Sequence, residues 1–302
     1  MNPSNDDVRG PLTLQVMGGL GNQMFIAAFG IAASQRFQRS LRFDVSFGNR
    51  TAAMRQLELP GLDAIGELAR GNDFTGLRRL FDAGCARARV SPPSTFVEHG
   101  ALGARFGYDA SWTRAQHAKR ARGYFQSWRY FEGLEESVRA NMSRLIRCEP
   151  GEQLLAEVRA QVGSEFIAMH VRRGDYLTQH SRTNFGLCSP RYYSDALHVV
   201  RSLGLGTAPL VLFTDSPEKL PAELAALANY VVPADSMRTP RADLYTLAQS
   251  SAIIMSNSSF SWWGGFLNDS ALRPVIAPRP WFRRGDFAGA DLLLHHWLTV
   301  GA

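Results

Sequence analysis

Cysteine is scarce in this chain. Only Cys85, Cys148 and Cys188 occur. They are odd in number and widely spaced, with no CxxC pair and no Cys/His metal spacing. Neither a disulfide framework nor a zinc site is therefore expected, and a reducing cytosol is the matching compartment. Long apolar runs are also missing, and none approaches the ~20 residues that cross a bilayer. Residues 1–11 are polar, carry Asp6 and Asp7, and show no apolar signal-peptide core. The expectation is a cytoplasmic protein, at most peripheral on the inner face of a membrane. There is no internal repeat and no low-complexity segment. Neither GxGxxG nor a Walker loop is present, so nothing argues for a dinucleotide or for ATP hydrolysis.

What is present is ordinary globular composition with a basic balance. The 302 residues are 45% apolar and 20% charged. That is enough for a packed core and about two domains. The net charge of +6 suits an acidic ligand, an anionic membrane surface or nucleic acid. Its basic residues are mostly arginine, which favours bidentate phosphate contacts.

The pattern alternates strand and helix. Residues 12–18 read as a strand, Gly18, Gly19 and Gly21 as a tight turn, residues 22–37 as a helix and 41–46 as a second strand. Residues 50–120 read as irregular and helical insertions with no chemistry assigned. A strand at 123–127 and a helix from about 131 to 146 follow. The stretch 147–151, with Pro150, reads as the linker between domains 1–150 and 151–302. Beyond it come a strand at 166–169, a helix capped by Ser189, buried strands at 209–214 and 252–256, and a last strand at 275–277. Such alternation implies parallel sheets with both faces covered.

Four segments carry chemistry. The first is His170-Val-Arg-Arg-Gly-Asp-Tyr176, at the end of a core strand. Arginine keeps its charge, so two arginines leaving such a strand call for anionic partners. In open α/β sheets, ligands lie beyond the carboxyl ends of the strands. The second is Ser256-Asn-Ser-Ser-Phe-Ser261, where hydroxyls at a helix start suit phosphate or simply cap the helix. The Trp262-Trp263 pair beside it reads as core. The third is Asp243, in a helix's first turn, placed to complement the dipole or to accept the N1 and N2 hydrogens of guanine. The fourth is the loop Gly18-Gly-Leu-Gly-Asn-Gln23, in which Asn22 is a helix cap or a ligand group.

Together with Gly123-Tyr-Phe-Gln-Ser127 and Phe213-Thr-Asp215, these segments make the chain resemble the bacterial α-1,2-fucosyltransferases of glycosyltransferase family 11. The resemblance is weakest over residues 50–120. It implies a GT-B-like α/β fold, two Rossmann-like domains with a cleft between them. The N-terminal domain would lie on the acceptor side, and the C-terminal one would bind the donor. It implies inverting transfer of L-fucose from GDP-L-fucose to O2 of a terminal β-galactose, with no metal and no cofactor.

The same resemblance assigns residues. Arg172 would hold the diphosphate, and His170 and Asp243 the guanosine. Arg173, Ser258, Ser259 and Phe260 complete the donor contacts, and Asn22 would approach from the other domain. Arg172, Asp175 and Asn22 are the catalytic candidates, and Asp44 and Gln23 lie on the acceptor side. For a general base, Asp175, Asp44 and His170 stay open. The chain has no DxD triplet, the usual carboxylate pattern for a metal-bound sugar nucleotide. The expected partners are GDP-fucose and a β-galactoside, carried on a lipid-linked glycan, with peripheral membrane contact left open and no nucleic acid. A metal-free fucosyltransferase of another linkage and a non-catalytic nucleotide- or glycan-binding protein are the alternatives.

Overall fold

The computed structural model describes residues 10–46, 57–69, 94–98, 107–174, 186–234, 238–268, 273–282 and 291–302. The chain divides into two compact units, Met1–Leu145 and Ile146–Ala302. The sequence reading put this boundary at 150/151, on a linker at 147–151. Pro150 instead occupies the first turn of a helix, Glu149–Val162. A proline's missing N–H costs nothing in that position.

Among its described residues, the first unit holds a five-stranded, all-parallel sheet. The strands are β1 (Leu12–Gln15), β2 (Leu41–Asp44), β3 (Glu67–Ala69), β4 (Thr95–Val97) and β5 (Arg120–Arg122). Their order is β3-β2-β1-β5-β4. Helix α1 (Leu20–Phe37) is buried over most of its length. Leu14, Leu41 and Phe43 reach its Gly30, where an added Cβ would lie 2.7 Å from the Leu14 side chain. By alternation, Thr13, Gln15 and Asp44 fall on the opposite face of the sheet.

The expected strand at 123–127 is a correction. Pairing stops at Arg122, and residues 123–127 form a loop beyond β5. Glu98, just past β4, holds the loop there: its carboxylate accepts the Tyr124 and Phe125 N–H groups, and a Cβ on Gly123 would lie 2.5 Å from its side chain. Phe125 then takes a left-handed φ of 51° and stacks on Phe29 of α1 at 3.8 Å, with Tyr130 edge-on. Gly123→Ala is accordingly expected to destabilise this unit by roughly 1–3 kcal/mol. Thermal unfolding checks this, and an unchanged midpoint would mean that Glu98 does not pack there. The helix expected from residue 131 starts later, as α2 (Glu135–Ile146), after a 3₁₀ turn at Trp128–Phe131.

Among its described residues, the second unit holds a six-stranded parallel sheet. Helix α3 (Glu149–Val162) leads into β6 (Ile167–Val171). Then come α4 (Pro190–Val200), β7 (Leu210–Thr214), β8 (Tyr230–Val231), α5 (Pro240–Leu247), β9 (Ala252–Ile254), α6 (Ser259–Asn268), β10 (Val275–Arg279) and β11 (Leu298–Gly301). The order is β11-β10-β9-β6-β7-β8. Both β6 and β7 are buried at every position, as strands covered on two faces must be. Ser189 caps α4 by accepting the Tyr192 N–H. Trp262 and Trp263 are fully buried core. The exposed edge strand β11 has no apolar signature, and the sequence reading ended the sheet at β10.

Both sheets reverse strand order in the middle. β6 lies between β7, which follows it in sequence, and β9, reached only after the chain crosses over. In the first unit β1 lies likewise between β2 and β5. These are the switch points at which open α/β sheets form binding crevices. Among the described residues, no helix is long and apolar enough to cross a membrane.

Candidate functional site

At the switch point of the second unit, β6 delivers His170 and the two arginines while β9 delivers the serine loop. His170 is buried, and its Nδ1 lies 3.0 Å from Ser256 Oγ and 2.5 Å from Ser261 Oγ. The two hydroxyl oxygens are 3.0 Å apart. Phe260 packs against the imidazole at 5.0 Å. Burial pushes the His170 pKa down to about 3; the Arg172 and Arg238 charges add to this, and Asp215 opposes it. The ring is therefore neutral near pH 7. Lowered in this way, the imidazole is a weak base toward a hydroxyl proton.

Arg172 finds its carboxylate one strand away. Its Nε lies 3.1 Å from Oδ2 of Asp215, at the end of β7. Asp215 also accepts the backbone N–H of Arg173 at 2.8 Å and that of Gly174 at 3.1 Å. Gly174 has no room for a side chain, since a Cβ would lie 2.5 Å from Asp215 Oδ2. Burial raises the Asp215 pKa, but the Arg172 charge and the two N–H groups outweigh it and hold the carboxyl below its usual range. Asp215 thus organises the arginine motif. Asp175, a catalytic candidate in the same motif, lies outside the described residues.

Arg173 comes next in the motif. It is buried, its Nε has no hydrogen-bond partner, and its charge acts on Cys188 and Tyr193. Burial pushes the Cys188 thiol up to about 11, so it is no thiolate nucleophile. In the serine loop, Ser258 Oγ accepts the Phe260 N–H at 3.3 Å, the capping alternative, while Ser259 opens α6 beside it. Asp243 stands in the first turn of α5, but Arg238 grips both its oxygens at 2.6 and 2.7 Å. Arg238 also donates to the carbonyls of Val232 and Pro233, each at 3.0 Å. Burial outweighs this pairing and raises the Asp243 pKa.

At the switch point of the first unit, Asn22 Oδ1 accepts a hydrogen bond from Gln126 Nε2 at 2.6 Å. Gly18 has a φ of 75° and lies under Asn22, whose Nδ2 would be 2.5 Å from an added Cβ. The two acceptor-side candidates, Gln23 and Asp44, are buried. Gln23 donates to the Gly18 carbonyl at 2.8 Å and accepts from the Glu58 and Leu59 N–H groups, clamping the glycine loop. Asp44 is fully buried; its Oδ1 takes the Ser46 N–H, and its Oδ2 has no hydrogen-bond partner. Glu58 accepts the Leu20 N–H at 2.8 Å and so caps α1, which has no side-chain cap of its own. Among the described residues, no group of three or more His, Cys, Asp or Glu is placed to hold a metal ion.

The family model described as glycosyl transferase family 11 matches residues 103–281, which include the arginine motif, Asp215, Asp243 and the serine loop. The chain belongs to glycosyl transferase family 11. An Escherichia coli alpha-1,2-colitosyltransferase is 26% identical over 297 residues, 95% of this chain and 97% of its own. The O-antigen biosynthesis glycosyltransferase WbnK of Escherichia coli is 31% identical over 135 residues, 44% of each chain. Among solved structures, the fucosyltransferase NodZ from Bradyrhizobium superposes with a TM-score of 0.51 at 16% identity, covering 88% of this chain and 95% of that one. The family 11 chain thus has the GT-B-like α/β fold read from its sequence.

The residues that reading passed over are the partners: Asp215, Ser256, Ser261, Arg238, Gln126, Glu58 and Glu98. Asp215, Ser256, Ser261 and Gln126 stand inside the quoted motifs. For Asp215 and Ser256 the available signal was their position just past a strand end.

Proposed function

We propose that this glycosyltransferase is an inverting galactoside α-1,2-fucosyltransferase, moving L-fucose from GDP-L-fucose to O2 of a terminal β-galactose without a metal. The observation that carries this is the Arg172–Asp215 pair at the end of β6, beside the neutral His170 and the start of α6. In the displacement, the acceptor O2 forms a bond to the fucose anomeric carbon and, late in the step, releases its proton to solvent. The bond from that carbon to the β-phosphate oxygen breaks, and GDP leaves with the electron pair. Arg172 then meets the charge growing on the phosphate, helped by Ser259 and the first N–H groups of α6. His170, Phe260 and Asp243 are assigned to the nucleoside and Asn22, in the first unit, to the transfer. A lipid-linked surface-glycan precursor is the proposed acceptor carrier, which the basic composition suits at an anionic membrane.

One comparison favours a second donor. The colitosyltransferase spans nearly the whole chain, and colitose is L-fucose without its 3-hydroxyl. The test offers GDP-fucose and GDP-colitose separately with lactose and with β-galactosyl-terminated lipid-linked glycans, in EDTA, and determines the product linkage. Undiminished α-1,2-fucosyl product supports the proposal. Transfer of colitose alone replaces the donor assignment. Fucose at a position other than O2, or strict metal dependence, overturns the linkage or the metal-free scheme. GDP binding without turnover on every acceptor would favour a binding protein.

A further inference from the structure

Glu98 is a buried acid that the reaction above does not use, and its surroundings are built around it. It is 3% exposed and lies just past β4. Its Oε2 accepts the backbone N–H groups of Tyr124 and Phe125, both at 2.8 Å, and its Oε1 accepts the Tyr130 hydroxyl at 2.8 Å. Tyr130 Oη in turn accepts the Asp109 N–H at 2.9 Å. Three donors therefore converge on one carboxylate, a pattern that suits the ionised form. The held segment is the one in which Phe125 takes its left-handed turn, and the next residue is Gln126. Gln126 reaches across to Asn22 and turns that side-chain oxygen toward itself.

We propose that Glu98 is a positioning residue: its carboxylate fixes the loop after β5 so that Gln126 sets the side-chain amide of Asn22. The inference rests on the reading of Asn22 as part of the transfer machinery. A proton placed on Glu98 must take up one of the oxygens already accepting. On Oε1 it confronts Tyr130, which must then turn its own hydrogen elsewhere. On Oε2 it displaces a backbone N–H of the loop, whereas on Oε1 it reverses the Tyr130 bond and weakens the carboxyl as an acceptor for the loop. Burial pushes the Glu98 pKa up to about 7, the Asp109 charge adds to this, and the Phe125, Tyr130 and Tyr124 donors oppose it. The strand beside it carries Arg120, bonded to Thr95, and Arg122, whose charge acts on Tyr124. The loop's geometry thus responds to pH in the neutral range.

The test follows the side-chain amide of Gln126 by NMR while kcat is measured over the same pH range. In the wild type, the Gln126 signals are expected to titrate with a midpoint near neutrality. On the acid side kcat should fall with the same midpoint, about tenfold per pH unit, until it levels off. Glu98→Gln mimics the protonated acid, so its Gln126 signals should stay constant and its kcat should sit at that lower plateau without an acid limb. Tyr130→Phe removes a donor that favours the ionised form and should move the limb to higher pH, an independent check if Glu98→Gln folds poorly. A Gln126 signal that ignores pH in the wild type, or titrates unchanged in Glu98→Gln, overturns the inference. If the signal titrates as expected while kcat does not follow, the positioning stands and the role of Asn22 falls.

Discussion

Replacing Arg172 with alanine is expected to lower kcat on the order of 10²–10³-fold, with a smaller effect on donor KM. The magnitude is that of losing a preorganised donor to a developing oxyanion. The guanidinium is preorganised by Asp215, which takes its Nε at 3.1 Å and is itself tied to two backbone N–H groups. Little reorganisation is then left for the moment of bond breaking. Arg172→Lys keeps the charge but loses the planar fork, so an intermediate rate is expected. Asp215→Asn should cost less than Arg172→Ala, since the arginine remains but its partner becomes neutral. Steady-state kinetics on the three variants check the ranking. Wild-type kcat in Arg172→Ala would remove Arg172 from the reaction, and Asp215→Asn slower than Arg172→Ala would make Asp215 the principal group.

The same pair shows what the sequence could and could not reveal. That the arginines need an anion follows from their place at the end of a buried strand. Which carboxylate meets Arg172 does not, because Asp215 is 43 residues away and arrives only through the parallel pairing of β6 with β7. The pairing of Asp243 was hidden for a related reason: five residues separate it from Arg238, yet a helix cap and a loop must form before the two meet. Apolar patterning placed β6, β7, β9 and α1 well, since burial on both faces leaves a continuous signal. It could not place Glu98, in a stretch where strands are three residues long. Nor could it see that Gln23 and Asp44 turn inward, because a polar residue on a buried sheet face or at a helix start reads like a functional one.

His170 and Glu98 are expected to give the two units opposite responses to acid. The His170 pKa is depressed from 6.5 to about 3 by burial, so the unfolded chain binds the extra proton between those values. Its contribution to stability is complete above pH 6.5 and is lost as pH falls. The Glu98 pKa is raised from 4.5 to about 7, also by burial, so here the folded state binds the extra proton. That contribution is complete below pH 4.5 and is lost as pH rises through 7. Between pH 7 and 4.5 each linkage amounts to roughly 3 kcal/mol, the second unit losing what the first gains. Urea unfolding, read by pulsed hydrogen exchange at a fixed labelling pH, separates peptides of the two units. Glu98→Gln should abolish the acid gain in the first unit alone, and His170→Asn should flatten the acid loss in the second alone. If His170→Asn leaves the second unit's pH dependence unchanged, the imidazole is not held neutral by burial. Its place between Ser256 and Ser261 would then need another explanation.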